Sequence, residues 1–587
     1  MLKLLKNLNK RDYIYVFISA GLIVFQVWLE LKMPDYMSNI TQLVQTRGAS
    51  INDILREGSY MLLCAFGSLV SAFIVGYFTS TIAASFSYRT RGKLFRKVED
   101  ISTFEIKKFS PSSLITRTTN DITQIEFLIA MGLTLMIKAP ITAVWAVTKI
   151  LNKNIEWSIL TGVAVLVLLI TIGIIMMIVM PKFKIVQELM DKINMVMREN
   201  LSGIRVVRAF NAEKYQEDKF ENVNNTLTNQ QVFNQKAFNF LSPVMYLVMY
   251  FLTLGIYFIG AMLINEANMG DKIVLFGNMI VFSSYAMQVI MSFLMLAMIF
   301  MMLPRASVSA KRINEVLDTP ISVKEGNVTM NNSDIKGCVE FKNVSFKYPD
   351  ADEYVLEDIS FKVNKGETIA FIGSTGSGKS TLINLIPRFY DATSGGILIN
   401  GIDVRDYSFE YLNNIIGYVP QKATLFSGDI LSNVSFGKNI DGKPSNKKIA
   451  DALRVSQASE FVSKLEDGEK SHIAQGGTNI SGGQKQRLSI ARTIARNPEI
   501  YIFDDSFSAL DYKTDSTLRR ELREYTKDAT VMIVAQRIGT ILNADKIVVL
   551  DNGKCVGVGT HNELMKKCKV YKEIALSQVS KEELENV

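Results

Sequence analysis

Up to residue 304 the chain returns repeatedly to long apolar runs, and beyond it no such run occurs. The clearest extends from Ser158 to Met180, mostly Val, Ile, Leu and Met. At a rise of 1.5 Å per residue, a helix of that length crosses a hydrocarbon core of roughly 30 Å. Similar runs cover Gly58 to Tyr88, Ala237 to Asn265 and Ile273 to Pro304, and two weaker ones complete a set of six. Of these, Tyr13 to Leu29 is short and Phe127 to Thr148 is interrupted by Lys138. Six in succession predict a helical membrane domain over residues 1–304, with 305–335 as a charged linker that includes Asn331, Asn332 and Ser333. From 336 the pattern changes to short β-rich runs alternating with helical ones, an α/β signature that continues to 578 and leaves a tail at 579–587.

Charge refines the topology. The chain has 587 residues and a net charge of +8, with 48% hydrophobic and 21% charged residues. The basic residues are not spread evenly. The segment between spans two and three carries Arg89, Arg91, Lys93, Arg96, Lys97, Lys107, Lys108 and Arg117. That between spans four and five carries Lys182, Lys184, Lys192, Arg198, Arg205, Arg208, Lys214 and Lys219. The loop after span one has only Lys32, Arg47 and Arg56, and the other outer loops only Lys149, Lys153 and Lys272. Lys and Arg excess marks the cytoplasmic side, so both termini and both long inner segments are expected there, in a cell membrane. The basic balance is then a topology signal and not a nucleic-acid footprint. Lys3, Lys6, Lys10 and Arg11 fit an amphipathic helix on the membrane surface, without the cleavage site of a removable signal peptide. The inner segments read as helical extensions of the spans, each with a break suited to a short crosswise helix, at Ser110 to Asp121 and Asn200 to Asn211. Cys64, Cys338, Cys555 and Cys568 lack metal or disulfide spacing and are expected as free thiols.

The chemistry lies in the second half. Between a strand over Glu367 to Ile372 and a helix over Lys379 to Phe389 stands Gly373-Ser374-Thr375-Gly376-Ser377-Gly378-Lys379-Ser380-Thr381, which fits G-x-x-x-x-G-K-[ST]. Such a loop turns backbone N–H groups around phosphates at a helix N-terminus. Lys379 would reach the β- and γ-phosphates of ATP and Ser380 would bind Mg²⁺. Downstream, Ile500 to Asp504 is a hydrophobic strand ending in a carboxylate that would hold the metal through water.

Asn479-Ile480-Ser481-Gly482-Gly483-Gln484 then resembles the signature of ABC transporters, normally Leu-Ser-Gly-Gly-Gln, with Ile480 in place of leucine. The resemblance extends over nearly the whole chain, including Gly203 to Phe210 in the second inner segment, and is closest to exporters. It implies that Tyr348 stacks on adenine and that Gln421 senses Mg²⁺ from the Q-loop. It makes Ser508 to Asp511 the D-loop and assigns the signature residues Ser481, Gly482, Gly483 and Gln484 to nucleotide binding across a dimer.

Two positions depart from that family. Where its active members carry a glutamate as general base after the metal-binding aspartate, this chain has Asp505, one methylene shorter. Where they carry the switch histidine it has Gln536, which can donate a hydrogen bond but hold no positive charge. Gln475, where glutamate is usual before the signature, is a lesser difference. A base must stand within about 3 Å of the proton it takes. Each ~1.36 kcal/mol of added barrier is a tenfold loss of rate. The pair implies a site that binds ATP and hydrolyses it poorly. The family joins one chain's phosphate loop to the other's signature, and this chain has one ATP-binding domain. A second half-transporter is therefore expected, forming a heterodimer like the bacterial multidrug exporters with one degenerate site. The rival expectation is an ATP-gated regulator or channel with incidental hydrolysis. Lys138, Glu30 and Lys32 are charges near or within spans, candidates either for function or for a packing ion pair. Span six mixes methionines with Asn278, Phe282, Ser283, Ser284, Tyr285, Gln288 and Ser292. Such a surface suits hydrophobic small molecules, drugs or lipids before peptides.

Overall fold

The computed structural model describes residues 2–46, 50–151, 155–331, 336–439 and 442–578. Arg47, Lys153, Asn332, Ser333 and the tail 579–587 lie outside the described residues. The chain divides into two compact units: one holds the residues up to Glu99 together with Ser110–Thr319, the other Asp100–Phe109 together with the chain from Pro320.

Among the described residues of the first unit, six helices are long and apolar enough to cross a membrane: Lys10–Gln45, Ile51–Asp100, Pro111–Leu151, Ile155–Ser202, Glu213–Glu266 and Asp271–Leu317. Each contains one of the six expected apolar runs and most extend well beyond it. The last continues through residues 305–317, so the first part of the charged segment is helix. Their sides expose many large apolar residues, such as Phe73, Met177 and Phe258, as a lipid-facing surface requires. The interior joins all six spans through Ile23, Val75, Ala146, Trp157, Ile256 and Phe282.

Of the charges flagged near the spans, Glu30 and Lys138 are paired with each other, and Lys32 makes no ion pair among the described residues. Glu30 of span one accepts from Lys138 of span three at 2.8 Å, from Gln26 at 2.9 Å and from Ser68 of span two at 3.2 Å. Further along span one, Asp35 accepts from Lys149 at 2.9 Å and from the Tyr285 hydroxyl of span six at 2.7 Å.

The inner breaks differ from expectation at one end. In the segment between spans four and five, a short helix Ile204–Ala209 stands between Gly203 and Asn211, whose φ of 50° is left-handed, inside the expected Asn200 to Asn211. In the earlier segment, Ser110 caps a helix Pro111–Thr118 with Pro at its start, and that piece belongs with the membrane helices. The short helix that belongs with the second unit is instead Thr103–Lys107. There Phe104 packs on the sheet's core, and Ser102 Oγ accepts from Val323 N at 3.2 Å.

The second unit is built on a ten-stranded sheet, β1 (Val339–Phe346), β2 (Leu356–Val363), β3 (Thr368–Gly373), β4 (Ser394–Ile399), β5 (Ile402–Asp403), β6 (Ile416–Val419), β9 (Ile500–Asp504), β10 (Thr530–Val534), β11 (Lys546–Asp551) and β12 (Lys554–Gly559), with β7 (Gly428–Asp429) and β8 (His472–Ile473) forming a separate pair. The order is β5-β4-β1-β2-β12-β11-β3-β10-β9-β6. The run β11, β3, β10, β9, β6 is parallel, while β5, β4, β1 and β2 form an antiparallel wing. Parallel strands buried on both faces read as unbroken apolar runs, and Ile500 to Asp504 and Thr530 to Val534 are buried throughout. The helix after β3 is shorter than the expected Lys379 to Phe389: it spans Lys379–Asn384. Pro387 explains the stop, since it lacks an N–H and disfavours helix at the residue before it. All four cysteines are free thiols.

Candidate functional site

The site forms at the C-terminal ends of the parallel strands. β10 pairs with β3 on one side and with β9 on the other, with Val534 opposite both Phe371 and Asp504. The residues that follow these strands therefore converge: the loop from Gly373, the pair Asp504-Asp505, and Gln536. That is the place where open parallel sheets bind ligands.

Two glycines allow the loop its path. A Cβ on Gly373 would collide with the Leu550 carbonyl, and Gly378 has a φ of 92° at the start of the helix. Ser374, Thr375 and Gly376 form the exposed crest while Ser377 is buried beneath it. Lys379 is 9% exposed, and its ammonium donates to the carbonyl oxygens of Gly373 at 2.9 Å and Ser374 at 2.7 Å. Burial lowers its pKa, opposed by the charges of Asp505 and Asp504. Ser380 Oγ donates to Asp504 Oδ1 at 2.9 Å, which puts a hydroxyl and a carboxylate side by side. Two hard oxygen donors beside a phosphate loop fit Mg²⁺, which takes few protein ligands and keeps several waters. Burial raises the pKa of both Asp504 and Asp505.

At the two departing positions the side chains meet. Gln536 Nε2 donates to Asp505 Oδ2 at 2.8 Å, and Gln421 Nε2 donates to the same oxygen at 3.2 Å. Asp505 is 8% exposed with a left-handed φ of 46°, a conformation aspartate tolerates better than most residues. Its backbone is held as well, by Asp505 N donating to Val534 O and by Ser508 Oγ donating to Asp505 O. Tyr348 lies to one side, its hydroxyl 3.1 Å from Thr381 Oγ1 and its ring edge-on to Tyr390 at 5.4 Å.

The signature residues form a second group. Ser481 caps the helix Gly482–Arg496 in a reciprocal box with Gln484: Gln484 N donates to Ser481 Oγ and Ser481 N to Gln484 Oε1. Asn479 ties the preceding loop to His472 O and Ala474 N, and Ile480 packs on the core, so the leucine replacement keeps its apolar contact. Asp511 caps the helix Tyr512–Tyr525 through Thr514 N. Among the described residues, no hydrogen bond joins Ser481 or Gln484 to the phosphate loop.

Sequence reasoning passed over two neighbours of this site. Tyr418 of β6 directs its hydroxyl to Asn384 at 3.1 Å and towards Asp504 at 3.5 Å. In the sequence it is one apolar residue among several in a strand. Lys107 places its ammonium 5.8 Å from the centre of the Tyr348 ring, and a hydrogen bond with Tyr390 raises its pKa. In the sequence it was one of many inner positive charges.

Comparison with known proteins matches this architecture. The family model described as "ABC transporter" matches residues 356–508, and that described as "ABC transporter transmembrane region" matches 15–303. An uncharacterized ABC transporter ATP-binding protein of Mycobacterium tuberculosis is 40% identical, covering 92% of this chain and 93% of its own length. The chain belongs to the ABC transporter family. A putative multidrug export ATP-binding/permease protein of Bacillus subtilis is 31% identical over 85% of this chain and 84% of its own. An ATP-dependent lipid A-core flippase of Pseudomonas aeruginosa is 30% identical, with 86% and 82% covered. A bacterial Atm1-family ABC exporter with ATP bound shares the fold, with a TM-score of 0.82 at 22% identity, over 97% of this chain and all of that one. This ABC transporter chain is therefore a multi-pass exporter half, with a membrane domain and an ATP-binding domain of an ATP-hydrolysing translocase family.

Proposed function

We propose that this ABC exporter half works in a heterodimer, holding ATP at a weakly hydrolysing site of its own and lending its signature to a competent site on the partner. The assembly moves hydrophobic compounds, drugs or lipids, outward, with the ATP-binding domain and both termini cytoplasmic. The observation that carries this reading is the double amide hold on Asp505 Oδ2 by Gln536 and Gln421. A general base needs a lone pair aimed at water, and properly placed ones contribute about 10²–10⁴ in rate. Here the shorter carboxylate gives one oxygen to two amide donors, and no imidazole stands beside it.

Lys379, Ser380, Asp504 and the loop Gly373–Thr381 bind the phosphates and Mg²⁺, which when bound neutralises charge on the phosphates. Tyr348 carries the adenine. Ser481 to Gln484 keep the family's residues and an ordered helix start, so they remain fit to close a partner's site. The multidrug and lipid-flippase names of the relatives support the substrate class. The test is ATP turnover by the purified chain alone and with a half-transporter that carries glutamate and histidine at the matching positions. Slow turnover alone and fast turnover together support the reading; equally fast turnover by the chain alone overturns it.

A further inference from the structure

The membrane unit holds a cavity of about 650 Å³ among the inner ends of spans three to six. Its walls are not those of a site for plain hydrophobes. Phe127, Phe183 and Phe238 give an apolar side, while Gln231, Asn234 and Arg305 bring polar groups into the same space. Asn234 is 6% exposed, and its Oδ1 has no hydrogen-bond partner. A buried amide oxygen left unpaired costs free energy unless a ligand or water satisfies it. Arg305 stands 5.9 Å from the centre of the Phe183 ring, and no carboxylate among the described residues pairs with it. An arginine that stacks on an aromatic while keeping its donors free is suited to a carboxylate, sulfonate or phosphate. The cavity lining contains no acidic side chain. An adjoining cavity of about 570 Å³ shares Arg305 and Phe183 and adds Arg312 and Asp121, the latter tied to Ser309 at 2.8 Å.

We propose that this cavity is a binding site for amphiphilic organic anions, with the anionic group on Arg305, a hydrogen-bonding donor on Asn234 Oδ1 and the apolar body against Phe127, Phe183 and Phe238. This deepens the export reading by naming a substrate class, and it is independent of whether the ATP site is degenerate. Large cavities with an apolar wall and a few convergent polar groups are the usual form of small-molecule sites.

The test uses the full-length protein in nanodiscs of neutral phosphatidylcholine without nucleotide, so partner and turnover do not enter. Binding of a fluorescent naphthalenesulfonate is compared with that of an uncharged naphthalene of the same size. Arg305→Gln is expected to weaken the sulfonate at least tenfold and the neutral probe less than twofold, with Arg305→Lys in between. Phe183→Ala should weaken both, and Lys311→Gln, outside the cavity, neither. A second arm replaces part of the lipid with phosphatidylglycerol: loss of sulfonate binding there assigns the site to an anionic lipid headgroup, and retention assigns it to soluble anions. Equal effects of Arg305→Gln on both probes, or no preference for the sulfonate in the unmodified protein, would overturn the proposal. Either result would leave the ATP-site reading standing, because nothing here depends on hydrolysis.

Discussion

Gln536 and Asp505 are joined by a 2.8 Å hydrogen bond from amide to carboxylate. These are the two positions at which the chain departs from the usual catalytic pair, and the departures fit one another. An amide donor satisfies a shortened carboxylate that a base would have to keep free. Installing both usual residues, Asp505→Glu with Gln536→His, should raise phosphate release by the purified chain at least tenfold, and up to about 10³-fold on the scale of general-base contributions. Each single substitution should recover much less than the pair, since the groups act as a unit. If Asp505→Glu alone gives the full gain, the glutamine has no part in silencing the site.

The second expectation concerns the assembled pair. Ser481 caps the helix whose start carries the signature, and Lys379 sits in the chain's own phosphate loop. If the competent site uses this chain's signature, Ser481→Arg should abolish turnover of the heterodimer. Lys379→Ala, which cripples only the weak site, should lower it a few-fold. ATPase assays on the two variant complexes decide between the arrangements. The reverse order of severity would place the working site on this chain.

Much of this was legible along the chain, for reasons that differ by element. The spans announce themselves because a membrane demands some twenty apolar residues in a row. The phosphate loop is local: Gly373, Gly378 and Lys379 act within one turn of backbone, so spacing alone specifies them. The hydrogen bond between Gln536 and Asp505 was not visible, because it depends on β9 and β10 lying side by side in register. The short helix at Thr103–Lys107 was missed in favour of Ser110 to Asp121, since Pro111 and Ser110 begin a helix as readily as they end one. Nor does sequence pair Glu30 with Lys138, which are far apart in the chain and meet only through the packing of spans one and three.

That ion pair yields a third expectation. Glu30 accepts from Lys138, Gln26 and Ser68, and both charged side chains are mostly shielded. Removing one partner leaves the other's charge and hydrogen-bonding capacity unmet, at a cost of about 1–3 kcal/mol. Replacing both with apolar residues of similar length removes the problem together with the pair. Glu30→Met and Lys138→Met should each lower the thermal midpoint of the protein in detergent, and the double variant should regain most of the loss. A double variant as unstable as the sum of the singles would mean that the two residues act independently.

His561 gives the last. It is 8% exposed at the start of the helix His561–Lys567, with Nδ1 2.8 Å from the Tyr571 hydroxyl, and burial lowers its pKa below the ordinary value. In the unfolded chain the imidazole takes its proton near pH 6.5. Between that value and the lower folded one, the unfolded state binds more protons, so stability rises with pH there. The neutral ring's contribution is thus present above about pH 6.5 and is lost as the pH falls below it. The thermal midpoint of the ATP-binding domain within the full chain should therefore fall between pH 7.5 and 5.5. His561→Gln, which keeps a hydrogen-bonding amide but cannot be protonated in this range, should flatten that part of the profile. A profile as steep in the variant as in the unmodified chain would exclude His561 as the source of the pH dependence.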